Sequence, residues 1–158
     1  MSPTSSLPRS SRLAFAWILQ CAVLAVHIWD AAVHDFLGYY NATVLTLYGH
    51  FSYFPRLDWE RRNWLEFPIA LDLLLFALTP LVYRNLRWTR YLAYALSVAG
   101  FLVAIGQILL TIRGGTVPSV KFDGTSPGFY SSPILLFSSL YLLRNLQPTI
   151  RARQDHKE

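Results

Sequence analysis

Long apolar runs separated by short polar segments dominate this chain. Four runs are rich enough in apolar residues to form membrane-spanning helices, at approximately 13–34, 67–84, 91–112 and 129–146. About 20 mostly apolar residues are needed to cross roughly 30 Å of hydrocarbon; the first and third runs meet this length, and the other two are shorter. The pattern predicts an all-α integral membrane protein with four transmembrane helices.

The segments between and beyond these runs define the expected organisation. Residues 13–147 are predicted to form one four-helix transmembrane domain, with a disordered cytoplasmic tail at 1–12 and a charged cytoplasmic tail at 148–158. The aromatic-rich segment 37–54 predicts an interfacial or re-entrant helix in the first outer loop. The glycine-rich segment 114–128 predicts a flexible outer loop.

Basic residues are shared unequally between the two sides of the predicted bundle. Nine lie on the side of the chain termini: Arg9, Arg12, Arg84, Arg87, Arg90, Arg144, Arg151, Arg153 and Lys157. Five lie on the opposite side: Arg56, Arg61, Arg62, Arg113 and Lys121. Because cytoplasmic loops carry the excess of Lys and Arg, both termini are predicted to be cytoplasmic.

Composition narrows the class and the partners. The chain is 53% hydrophobic with a mean hydropathy of +0.31, more apolar surface than the core of a soluble domain of 158 residues could bury. Its net charge is +5, but the basic residues flank the apolar runs, which argues against a nucleic-acid partner. The expected partner is the lipid bilayer, joined by other membrane proteins or a hydrophobic small molecule. The endoplasmic reticulum or plasma membrane is the favoured location, and the membrane of another organelle is an alternative.

Polar residues inside the predicted spans are the candidate site. Gln20, His27 and His34 recur every seven residues, and Asp30 falls on the same helical face. The other spans contribute polar residues to the same layer: Asp72 on the second, Gln107 and Thr111 on the third, and Tyr130, Ser131 and Ser132 at the start of the fourth. Ionisable groups in lipid are costly, so they are functional candidates by default.

Two interpretations of this layer are open. In the first, His27, Asp30 and Asp72 are catalytic groups of an outward-facing pocket that binds its ligand through His34, Gln107 and Tyr130. In the second, the same groups form hydrogen bonds that hold the helices together. A metal held by His27, Asp30 and His34 is a variant of the first, but their spacing matches no metal motif, so no metal is predicted and no cofactor is identified.

Two further patterns carry predictions of their own. Small and polar residues form a stripe along the third span, which is therefore expected to be the central packing helix or, alternatively, a dimer face: Ala93, Ser97, Gly100, Ala104, Gln107 and Thr111. The triplet Asn41-Ala42-Thr43 is a glycosylation sequon on the predicted outer side.

These features leave two hypotheses for function. The plan of two cytoplasmic ends, a longer first outer loop and a short basic inner loop resembles that of MARVEL-type and other tetraspan proteins, although the paired cysteines of many such outer loops are missing. The resemblance concerns the architecture alone. The small-residue stripe and the lack of any catalytic motif support the first hypothesis, a non-enzymatic membrane organiser or accessory subunit. The alternative is a membrane-embedded isomerase, cyclase or oxygenase acting on a lipophilic metabolite through the polar pocket.

Overall fold

The computed structural model describes residues 9–51, 53, 55 and 59–146, and 78% of these are helical. The six helices of this described part are α1 (Arg9–Val33), α2 (Phe36–His50), α3 (Arg61–Ala77), α4 (Thr79–Tyr83), α5 (Arg87–Arg113) and α6 (Ser132–Leu146). Two short strands, β1 (Gly115–Val117) and β2 (Val120–Lys121), follow α5. Of the predicted tails, 148–158 and most of 1–12 lie outside the described residues, and 9–12 belong to α1.

Two helices are long and apolar enough to cross a membrane. They are Ser10–Val33, with 24 residues, and Arg87–Arg113, with 27. These match the predicted spans 13–34 and 91–112. The helices in the two shorter predicted spans have 17 residues in α3 and 15 in α6.

The predicted span 67–84 is divided into α3 and α4 at Leu78. Pro80 has no N–H to donate to the carbonyl of Phe76, so it cannot continue the hydrogen-bond ladder of α3. The Thr79 hydroxyl donates to Phe76 O instead, at 2.7 Å. The break is therefore a proline interruption whose orphaned carbonyl is satisfied by the neighbouring side chain.

The central helix is α6, which packs against both α1 and α5, while α1 and α5 make little contact with each other. The expectation that the third span would be central is therefore wrong. The stripe itself is confirmed, because Ala93, Ser97, Gly100, Ala104 and Gln107 are all buried. It faces α6: the Ser97 hydroxyl donates to Ser139 O at 2.5 Å. Small residues on α5 serve internal packing by letting α6 approach closely.

The segment predicted as a flexible outer loop contains an antiparallel hairpin of β1 and β2. Gly114, at φ 76°, ends α5 in the left-handed conformation that glycine adopts without strain. The predicted helix of the first outer loop is present as α2, and it packs on this hairpin. Tyr39 stacks edge-on with Phe122 at 4.8 Å between ring centroids, and the hydroxyls of Thr43 and Thr116 are in contact. Helix α2 and the hairpin thus cover one end of the bundle.

Candidate functional site

The centre of the candidate site is a hydrogen-bonded junction between the end of α1 and the start of α6. Asp30 Oδ2 accepts from the backbone N–H of Ser131 at 2.8 Å and from its hydroxyl at 2.7 Å. His27 Nδ1 lies 2.8 Å from Ser131 Oγ. All three residues are buried. The predicted pair His27 and Asp30 is therefore brought together, with Ser131 between them.

Local structure explains why Asp30 belongs at this position. Ser131 immediately precedes α6, and its carbonyl accepts the first turn's hydrogen bond from the N–H of Leu135 at 3.0 Å. The N-terminal amides of a helix lack partners within the helix and carry partial positive charge. Asp30 supplies an acceptor there from another helix, so it caps α6 and ties it to α1.

Two of the predicted binding residues lie at the rim of this junction. His34 Nδ1 is 2.8 Å from Asp30 Oδ1, and its side chain is 39% exposed. Its ring lies 5.2 Å from that of Tyr130, centroid to centroid, and Tyr130 is exposed. The second carboxyl oxygen of Asp30 is thus engaged as well, and the accessible groups of the cluster are the rings of His34 and Tyr130.

Gly128 is part of the site, although the sequence singled it out only as a loop glycine. It has φ 84°, and a Cβ added there would come within 2.7 Å of His27 Cε1. Its carbonyl accepts from the Ser132 hydroxyl at 2.7 Å. The absence of a side chain lets the backbone before α6 lie flat against the imidazole of His27.

Gln107 shares a cavity with His27. This cavity of about 340 Å³ lies among α1, α2, α3 and α5, and its walls include Phe36, Trp64 and Gly106. The backbone carbonyl of Gln107 accepts from Ser126 Oγ at 2.8 Å. The prediction that Gln107 points inward toward the polar residues of α1 agrees with this placement.

A second layer of buried polar residues lies farther along α1, α5 and α6. Gln20 Nε2 donates to Ser139 Oγ at 3.2 Å, and a Cβ at Gly100 would come within 2.7 Å of that amide nitrogen. Gln20, Ser97 and Ser139 are all buried. The polar face of α1 therefore pairs with α6 at two levels, and α5 adds Ser97 to the deeper one.

Asp72 lies apart from His27 and Asp30. It lines a different cavity, of about 450 Å³, between α1 and α3. Its Oδ1 is buried without a hydrogen-bond partner in the described part of the chain. His27 and Asp72 thus line separate cavities, and Asp30 lines neither of these two, so the three residues do not form the single pocket expected from their shared depth. Equal depth does not place residues on the same side of a helix.

The structure also bears on the metal variant and the sequon. Within 9–51, 53, 55 and 59–146, no three His, Cys, Asp or Glu side chains converge to hold a metal ion. Asn41 donates from Nδ2 to Trp59 O at 3.0 Å and accepts from the N–H of Trp59 at 3.1 Å. A glycan on Asn41 would attach at Nδ2, the atom that donates to Trp59 O, and would leave it one N–H group.

The chain matches no protein-family model, and no curated protein or solved structure matches it significantly. The properties of the site therefore follow from the chain's own residues.

Proposed function

We propose that this chain is a multi-pass membrane protein with four spans and both termini cytoplasmic, its shorter spans formed by α3 with α4 and by α6. The distribution of polarity supports this. Large apolar side chains cover the outer faces of the helices, with Leu73 65%, Phe137 71% and Ile112 78% exposed. Gln20 and Ser139 are fully buried. Apolar surfaces this extensive favour contact with lipid.

Cysteine labelling on intact cells tests the topology. In a Cys21→Ala background, Ser119→Cys places a thiol at the exposed hairpin turn and Leu86→Cys places one in the basic loop before α5. A membrane-impermeant maleimide should label Ser119→Cys directly and Leu86→Cys only after permeabilisation. Labelling of both from outside, or of Leu86→Cys alone, contradicts the proposed arrangement.

For function, we propose a non-enzymatic organiser or accessory subunit of tetraspan type. The observation that carries this is the set of hydrogen bonds at the α1–α6 junction: Asp30 Oδ2 accepts from the N–H and the hydroxyl of Ser131, and that hydroxyl also lies within hydrogen-bond distance of Gly128 O and His27 Nδ1. A carboxyl group that caps a neighbouring helix has a structural role. The hydrogen bonds of the polar layer then hold a small helical bundle in one arrangement, which can pack laterally against other proteins.

Thermal unfolding of His27→Ala in detergent tests this proposal. Clusters of polar residues kept for function lower the stability of a protein, whereas hydrogen bonds that hold helices together raise it. The variant should melt clearly below wild type, since it deprives the buried Ser131 hydroxyl of a partner. Asp123→Asn, which changes an exposed carboxyl group of the outer loop, is the matched control and should melt with wild type. A His27→Ala variant that melts at or above wild type contradicts the structural role.

A membrane-embedded enzyme acting on a lipophilic metabolite is the second candidate, favoured by the His27–Gln107 cavity. The shortest contact of the Ser131 hydroxyl is to Asp30, so we assign the proton shared with His27 to Nδ1. Nε2 then carries a lone pair, as a general base requires. Gly106 has open space where a Cβ would lie, so Gly106→Leu fills this cavity.

Mass spectrometry of lipophilic compounds that co-purify with the protein separates the two candidates. A compound bound by wild type and lost from Gly106→Leu favours the enzyme. Identical compounds from both proteins favour the organiser.

A further inference from the structure

The cavity between α1 and α3 has walls that are almost wholly apolar. The side chains of Ile28, Trp29 and Val33 line it from α1, and those of Ile69 and Leu73 line it from α3. Its volume of about 450 Å³ falls within the range of small-molecule sites, roughly 300–1,000 Å³. Trp29 is 72% exposed, so the cavity opens on the outer face of the helix pair.

Among the described residues that line this cavity, Asp72 is the one that is ionisable. It is 6% exposed, and its Oδ1 receives no hydrogen bond from any described residue. Burying such an oxygen without a donor is costly, and more so in lipid, where water cannot replace the missing partner. Asp30 differs, because its Oδ2 accepts two hydrogen bonds from Ser131. A cationic group bound where the Asp72 side chain lines the cavity would offset the cost.

We propose that this cavity binds a lipophilic amine, with its ammonium group between Asp72 and the indole of Trp29 and its apolar body along Ile69 and Leu73. A carboxylate and an indole in one apolar cavity form a two-part recognition site for a cation: the carboxylate accepts charge-assisted hydrogen bonds, and the indole face attracts positive charge. An anionic ligand would be repelled by Asp72. A neutral one would leave the carboxyl group without a counter-charge.

The dimensions favour a small molecule over a docked membrane helix. The lining runs from Ala25 to Val33 on α1 and from Leu65 to Leu73 on α3. At 1.5 Å per residue each wall is about 12 Å long, whereas a helix crossing the bilayer needs roughly 30 Å of contact. The site is independent of the His27–Gln107 cavity and of the organiser or enzyme roles.

Native mass spectrometry of the full chain in zwitterionic nanodiscs tests the proposal, with dodecylamine as probe and dodecanol as its uncharged counterpart. Wild type should bind one dodecylamine, and Asp72→Asn, which removes an unpaired charge and keeps the shape, should bind it about tenfold more weakly because a charge-assisted contact is lost. Trp29→Leu should weaken it about threefold through loss of the cation–indole contact. Dodecanol should bind wild type and Asp72→Asn equally.

Two further variants keep the test decisive. Ile69→Trp fills the cavity and retains the carboxyl group, so it should abolish dodecylamine binding; Asp123→Asn lies outside the cavity and should leave binding unchanged. Equal dodecylamine binding by wild type and Asp72→Asn, or by wild type and Ile69→Trp, overturns the proposal. It is also overturned if a synthetic membrane-spanning peptide with a central lysine binds in an Asp72-dependent manner while dodecylamine does not.

Discussion

The buried carboxyl groups on the two sides of α1 differ in their hydrogen bonding. On the side facing α6, Asp30 accepts hydrogen bonds from Ser131 and is in contact with His34. On the side facing α3, Asp72 leaves a buried oxygen unpaired among the described residues, beside an apolar cavity. Both residues are almost fully buried. Their partners, rather than their residue type or burial, therefore distinguish a structural carboxyl group from one available to a ligand.

The largest expected effect comes from removing each carboxyl group in turn. Asp30→Ala leaves the buried N–H of Ser131 without its acceptor and leaves the Ser131 hydroxyl with Gly128 O, at 3.1 Å, and the ring of His27 as partners, so it should lower the free energy of unfolding by about 2–3 kcal/mol. Asp72→Ala removes a buried oxygen that lacks a donor at Oδ1 among the described residues, so it should not lower the free energy of unfolding and should raise it by about 1 kcal/mol. Equilibrium unfolding in one detergent measures both. Equal losses at the two positions would break the contrast between the two sides of α1.

Two glycines of α5 differ in the space around them, which allows a comparison of a tightly packed and an open position. At Gly100 an added methyl group would come within 2.5 Å of Ser139 Oγ, whereas at Gly106 it meets no atom within 4 Å. Gly100→Ala should therefore destabilise the bundle by about 1–3 kcal/mol through overpacking. Gly106→Ala should stabilise it by about 0.5–1 kcal/mol, because alanine is the better helix former. A loss of stability at Gly106 would show that the neighbouring cavity is closed in solution.

The smallest effect is expected at an exposed carboxyl group. Arg62 and Glu66 form an ion pair one turn apart on α3, with N–O at 2.8 Å and side chains 85% and 63% exposed. Solvent screens such pairs, so Glu66→Gln should shift the free energy of unfolding by less than about 0.5 kcal/mol. The same unfolding measurement checks it. A shift as large as that of Asp30→Ala would mean that α3 is held by this pair.

Helical periodicity predicted the parts of this structure that depend on one helix alone. The seven-residue spacing of Gln20 and His27 placed both on the buried face of α1, and the stripe from Ala93 to Gln107 marked the face of α5 that meets α6. In each case the sequence spacing is the helical repeat, so the shared face follows directly. The contact between α1 and α3 could not be read in this way, since most of α3 is exposed.

Contacts between residues far apart in the sequence could not be predicted from helical periodicity. Asp30 and Ser131 are 101 positions apart, and no local pattern indicates that one caps the helix begun by the other. The same is true of Gly128 against the ring of His27. Membrane depth estimated from the sequence grouped Asp72 with His27, Asp30 and Gln107. It could not show that His27 and Gln107 line one cavity and Asp72 another.

The central position of α6 has a consequence for biogenesis. The ribosome makes α1 and α5 before α6, so for most of translation the polar faces of the two earlier helices lack the helix that covers them. Arrival of α6 pairs Gln20 with Ser139 and Asp30 with Ser131 in one event. The last described helix to be synthesised thus completes the packing of α1 and α5, and a nascent chain stalled before Ser132 leaves Gln20 and Asp30 without these partners.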